Sequence, residues 1–160
     1  MDMAIEVLNE TTYDVDVQRV LTLGKHLYEK LHIHPATELA VVFVDNDAMS
    51  QLHRDWMGLE GPTDVMSFPM DELRPGTQQQ PTQGLLGDIV ISPEVATEHA
   101  ARGGHDVADE IALLIAHGML HLLGYDHHDA EEKDEMFRLQ NQLLEEFLGY
   151  APPELQDEEA

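Results

Sequence analysis

His117-Gly-Met-Leu-His121-Leu-Leu-Gly124-Tyr-Asp-His127 sets three imidazoles and a glycine at offsets 0, 4, 7 and 10. On a helix, residues 117 and 121 stand one turn apart on one face, so both rings reach a single ion. Gly124 is placed to end that helix. Lacking a Cβ, it takes the left-handed conformation of a helix C-terminus and turns the chain so that His127 returns as a third ligand. Three neutral imidazoles and no thiolate suit one Zn²⁺ per chain in an incomplete protein shell, with a position left for water or substrate. An open position implies catalysis. In a chain with ten His, a pair four residues apart is ordinarily a surface or packing pair. The third His and the turn glycine, which packing does not require, favour the metal.

The spacing is similar to the metzincin protease pattern His-Glu-x-x-His-x-x-Gly-x-x-His, except that Gly118 stands where those enzymes carry Glu. That Glu is the general base for the metal's water. Its absence argues against ordinary peptide hydrolysis and leaves the metal site intact.

Length and composition set the frame. A chain of 160 residues, 42% of them hydrophobic, is enough for one domain with a sizeable core. There is no apolar run of membrane-spanning length, and the start, Met-Asp-Met-Ala-Ile-Glu, lacks the basic and apolar regions of a signal peptide, so a cytoplasmic protein with no membrane partner is expected. Cysteine is absent, which excludes disulfides and thiolate ligands. The formal charge of −24, from 32 acidic and 8 basic residues, repels polyanions except at a local neutralising site. Part of that charge lies in Pro152-Pro-Glu-Leu-Gln-Asp-Glu-Glu-Ala160, read with residue 151 as an acidic, disordered tail (151–160) after a domain spanning 1–150.

Along the chain, residues 3–8 read as a strand. A helix follows from about Asp14 or Asp16 to Leu31, with the stripe Val17, Val20, Leu21, Gly24, Leu27, Tyr28 and Leu31. Residues 38–44 form a β-branched run with little alternation, as in a central strand buried on both faces. Asp45-Asn-Asp47 caps a short helix through Trp56, and a strand over 64–68 follows Gly61-Pro62. Residues 69–84 show no apolar period and read as a mobile loop, of a length that either lies over a functional cleft or is a disordered insertion. A strand over 85–91 pairs antiparallel with the one before it, and Ser92-Pro93-Glu94 opens a helix to about Arg102. Asp106 caps the metal helix, whose core face is Ile111, Leu114, Ile115, Gly118 and Leu122, with the His pair at its edge. Asp129 with Glu132 opens the last helix, which buries Met136, Leu139, Leu143, Leu144 and Phe147 and stops at Gly149.

Three segments together, His117 to His127, Gly61-Pro-Thr-Asp-Val-Met-Ser-Phe-Pro69 and Leu86-Gly-Asp-Ile-Val-Ile-Ser92, resemble the YbeY family of bacterial rRNA maturation endoribonucleases, in the family's order and across residues 3 to about 150. The resemblance implies a compact α/β (α+β) domain with a mixed, roughly four-stranded sheet and a zincin-like metal helix, with zinc held by His117, His121 and His127. It implies metal-dependent cleavage of single-stranded RNA in 16S rRNA 3′-end maturation and ribosome quality control. Its partners would be the ribosome or small-subunit precursor and ribosomal or assembly proteins.

One departure stands out. Many members carry Tyr-Arg-Gly before the Pro-Thr-Asp motif, with the arginine thought to contact phosphate, where this chain has Trp56-Met57-Gly58. Arg54, one turn earlier, is the nearest replacement and has donors suited to phosphate oxygens; the alternative is an ordinary surface arginine. Arg19, His26 and Lys30, at offsets 0, 7 and 11, read as a solvated helix face ahead of an RNA track.

A Zn²⁺ held by neutral ligands keeps its charge, lowers the pKa of its water from 15.7 towards roughly 7, and stabilises charge on phosphate oxygens. Because imidazole must be neutral to bind, affinity should weaken below about pH 6.5. His117 counts among the catalytic residues through the metal. Asp126 is the candidate general base or support of an imidazole, Asp88 a further support or a strand-end cap, and Asp64 a turn holder. Two rival functions are a metallopeptidase or other small-substrate metal hydrolase, and a non-catalytic ribosome-assembly factor. The latter needs a structural zinc closed by a fourth ligand such as His128 or Asp126.

Overall fold

The computed structural model describes residues 3–156. Its elements are β1 (Ile5–Asn9), α1 (Val17–Lys30), β2 (Glu38–Phe43), α2 (Asn46–Met57), β3 (Val65–Pro69), β4 (Leu85–Ile91), α3 (Pro93–Gly103), α4 (Val107–Leu122) and α5 (Ala130–Leu148). The caps fall where local chemistry puts them. Asp16, Asp45, Ser92 and Asp129 each accept a backbone N–H three residues on, and Pro93 occupies the first turn of α3, where a missing N–H costs nothing. At Asp106 the cap side chain makes no such bond.

The four strands form one mixed sheet in the order β1-β2-β4-β3, with β1, β2 and β4 parallel. The edge strand β3 runs antiparallel to β4 from Val65 opposite Ile91 to Pro69 opposite Gly87. Alternate residues of a strand face opposite sides. Leu39, Val41, Phe43, Val65, Ile89 and Ile91 therefore join the main core, while Val44, Met66 and Val90, with Val42 and Phe68, pack with Met49 and Leu52 of α2 in a smaller second core. Coverage on both faces explains the missing polar alternation in β2.

Three expectations change in the structure. In α1 the buried stripe is Val20, Leu23, Gly24, Leu27 and Tyr28, with Leu23 in place of Val17, which is exposed at the first turn. The metal helix α4 is buried nearly all round, including Asp109, Glu110, Ala112, Leu113, Ala116, His117 and Met119, because β3 and β4 cover one side and α3, α5 and α1 the others. A one-sided stripe describes a surface helix, not a central one. The loop read as mobile is tied down: Gly76 N–H donates to Leu31 O (3.1 Å), Thr82 N–H to His32 O (2.9 Å) and His34 N–H to Thr82 O (2.8 Å), while Leu73 packs on the main core. Backbone pairing, which leaves no hydrophobic period, supplies its order.

After α5 and Gly149, residues 151–156 carry no regular secondary structure, yet Leu155 packs on the main core and Gln156 Nε2 donates to His99 O (2.8 Å). The rest of the expected tail lies outside the described residues. Among the described residues, no helix is long and apolar enough to cross a membrane.

Candidate metal centre and its cleft

The turn after α4 brings the third imidazole back. Leu123 caps the helix, and Gly124 follows at φ +90°, the left-handed region that side chains disfavour. Gly124 N–H then donates to His121 O (3.0 Å) and Tyr125 N–H to Leu120 O (3.0 Å), the paired bonds of a Schellman close. A Cβ at Gly124 would also collide with the Arg74 guanidinium. Both backbone and space therefore demand glycine. Beyond the turn, Asp126 Oδ1 accepts the His127 N–H (2.8 Å) while Oδ2 takes the exposed His128 ring (2.8 Å).

One potential ligand atom from each of His117, His121 and His127 lies within 4.8 Å of the others. The two helical rings are set edge to face with their Nε2 atoms 3.0 Å apart, close enough to share an ion bound at about 2.0–2.1 Å. Their other nitrogens are engaged. His117 Nδ1 lies 2.8 Å from Gln140 Oε1 and His121 Nδ1 lies 3.0 Å from Tyr125 O. Both partners are acceptors, so each Nδ1 carries the proton and each Nε2 presents a lone pair towards the other ring. Phe137 flanks His117 and His127 from α5. The donor set fits a borderline-soft divalent ion such as Zn²⁺.

Gln140 is the residue the sequence reading missed. It sits buried on α5, 23 positions from its partner, among residues that otherwise pack by shape. A Gln on the buried stripe of an amphipathic helix was the available signal, since a buried amide must find a partner. Gln140→Leu should lower metal affinity about 10–100-fold, whereas Gln140→Glu, which keeps the acceptor, should retain most of it. Competition against a chromophoric chelator measures both; equal affinity of Gln140→Leu and the wild type would exclude the supporting role.

The centre opens on a cleft of about 830 Å³ that runs along the whole edge strand β3, from Trp56 and Met57 at the end of α2 to His121, Tyr125 and Asp126. Asp88 lines it from β4. Neither Asp88 nor Asp126 makes the bonds that orient the two helical rings. Arg54 is exposed on α2 and is not among the cleft-lining residues, whereas Met57 is. Arg74, from the loop read as mobile, reaches the metal helix: its Nη1 donates to Leu123 O (3.3 Å), and it lines a second depression with Gly124, Tyr125 and Asp126. Arg19, His26 and Lys30 serve packing instead of forming a free basic edge. Arg19 pairs with Asp109 (3.1 Å) and lies over Phe147, His26 Nε2 meets Leu143 O (2.9 Å), and Lys30 pairs with Glu146 (3.1 Å).

A second cluster of ionisable groups, Asp64, His99 and Glu110, is buried. Asp64 is fully buried; its Oδ1 accepts the Val65 N–H (2.8 Å) and its Oδ2 meets His99 Nδ1 (3.2 Å). Glu110, also fully buried, bonds His105 (2.5 Å). The hydrogen bond to Asp64 holds His99 above the ordinary imidazole value against its desolvation, and burial raises the Glu110 carboxyl against the bond from His105. Asp64 thus joins the start of β3 to α3, more than a turn holder does.

Comparison with known proteins gives one family. The sequence profile described as "Endoribonuclease YbeY" matches residues 4–148. Proteins named Endoribonuclease YbeY from Micrococcus luteus and Renibacterium salmoninarum are 54% and 55% identical, covering 94% of this chain in each case and 96% and 97% of theirs. The one from Mycolicibacterium smegmatis is 52% identical over 92% of this chain and 84% of its own. The solution structure of a Thermotoga maritima protein superposes with a TM-score of 0.62 at 27% identity, covering 91% of this chain and 89% of that one.

Proposed function

Because the chain belongs to the YbeY endoribonuclease family, we propose that it hydrolyses phosphodiester bonds of single-stranded RNA at the His117, His121 and His127 centre, with one Zn²⁺ per chain, in 16S rRNA 3′-end maturation and ribosome quality control. The observation that carries this reading is the pair of Nε2 atoms 3.0 Å apart whose rings are oriented by Gln140 and Tyr125 O. When bound, the ion supplies a Lewis acid for phosphate oxygens and acidifies water. The protein does the positioning. Gln140 and the Tyr125 carbonyl hold the tautomers, and Asp126 holds the His127 backbone and stands at the cleft wall as the proposed base.

Two observations weigh against the rivals. Neither Asp126 nor His128 belongs to the three-histidine group, which among the described residues has no fourth His, Asp or Glu to close the shell of a structural zinc. Position 118, where a peptidase carries its Glu, packs on Ser67 and Ile89.

The domain of residues 1–150, the tail of 151–160, the cytoplasmic setting and the ribosomal partners belong to the same proposal. At −24 the chain should hold naked RNA weakly and only at low salt, which favours a ribosomal context. The test is cleavage of a single-stranded RNA by purified protein before chelation, after it, and after Zn²⁺ is restored. Loss and recovery are expected; undiminished cleavage after chelation would refute the assignment. The same assay compares two cations: Arg54→Ala, at the proposed phosphate contact, should lose about ten- to a hundredfold and more than Arg74→Ala, and Met57→Arg should gain activity if the cleft accepts the family's geometry.

A further inference from the structure

The cleft has an unusual wall for an enzyme of polyanions. Its lining contains no Lys or Arg and includes Asp88 and Asp126, yet it exposes Trp56, Met57 and Met70 beside the half-buried Phe68. Trp56 is 69% exposed, although a ring of that size gains most by burial. It is also held in place. Met49 and His53 bury the inner face of α2, Gly58 closes the helix in the left-handed conformation with its N–H on Arg54 O (3.0 Å), and Phe68 meets the indole edge to face at 5.5 Å.

We propose that Trp56 is the stacking platform for one unpaired nucleobase of the RNA strand, so that the cleft wall itself grips its substrate at this end by a base. Stacking is indifferent to net charge and to base identity, which suits a strongly acidic chain. It also explains a single-strand preference at this position, because a paired base offers no free face. The inference rests on the reading of the cleft as an RNA site, and the occupant is chosen by continuity: the same cleft leads from Trp56 to His121.

Trp56 is the only tryptophan in the chain, so the Zn²⁺-loaded protein carries its own probe. A short single-stranded oligoadenylate should quench its fluorescence, and an abasic strand with the same number of phosphates should not. In anisotropy with labelled RNA, Trp56→Ala should weaken binding about 5- to 150-fold, and Trp56→Phe should restore most of it. The slope of log affinity against log salt should be the same in all three, since no phosphate contact is lost. Unchanged affinity in Trp56→Ala, or equal binding and quenching by the abasic strand, overturns the platform. If RNA is still cleaved with metal in that event, the platform alone has failed. If the wild type neither binds nor cleaves RNA, the reading of the cleft falls with it.

Discussion

The His117→Ala variant should lose metal affinity by more than about 100-fold and lose single-stranded RNA cleavage with it. Disturbing a residue that only supports a ligand costs about 10–100-fold, and His117 supplies the ligand atom itself. Its ring is fully buried, and its Nε2 stands 3.0 Å from that of His121. Removing it leaves two imidazoles and strands the buried Gln140 carbonyl without its donor, for a further stability loss of about 1–3 kcal/mol. Metal content after dialysis and thermal melts with and without Zn²⁺ measure the two effects. His128→Ala, at an exposed ring paired with Asp126, is the matched control and should keep its metal. Full zinc occupancy in a His117→Ala, His121→Ala double variant would sink the ligand assignment.

Gly118→Glu should destabilise the fold by about 3–5 kcal/mol, although it completes the metzincin pattern. A Cβ at 118 would stand 2.9 Å from Ile89 Cγ2 and 3.1 Å from Ser67 Oγ, against the sheet side of the most buried helix. The added carboxylate would then be forced out of water against Ile89 and Ser67. Gly118→Ala isolates the packing part and should cost about 1–3 kcal/mol, overwhelming the helix preference of alanine. Urea unfolding at neutral pH compares the three. A Gly118→Glu protein that unfolds like the wild type and cleaves peptides would restore the peptidase reading and remove the structural reason for glycine.

The pinned loop and the position of Arg74 show where pattern reading stops. Residues 69–84 offer no apolar period because their order comes from backbone bonds to residues 31, 32 and 34, and any sequence with free N–H and C=O groups can make such bonds. Arg74 then arrives beside Gly124 from a segment 50 positions away, and no feature of either sequence announces the meeting. The same holds for Asp64 with His99 and for Glu110 with His105, of which the sequence pattern singles out only Asp64, as a turn residue.

What the sequence determined by itself is whatever the helix repeat and the backbone enforce within a few residues. The offset of four puts His117 and His121 on one face, the missing Cβ at Gly124 turns the chain towards His127, and Asp16, Asp45, Ser92 and Asp129 set helix starts through local bonds. Only the tertiary structure decided which nitrogen of each helical ring is left for the metal, because that depends on Gln140 arriving from α5 and on the Tyr125 carbonyl turning back. It also decided that Met57 and Trp56, and not Arg54, line the cleft. Local geometry is carried by bond angles and the 3.6-residue turn, whereas these choices follow from how separate elements pack, a balance of many contacts that no short stretch encodes.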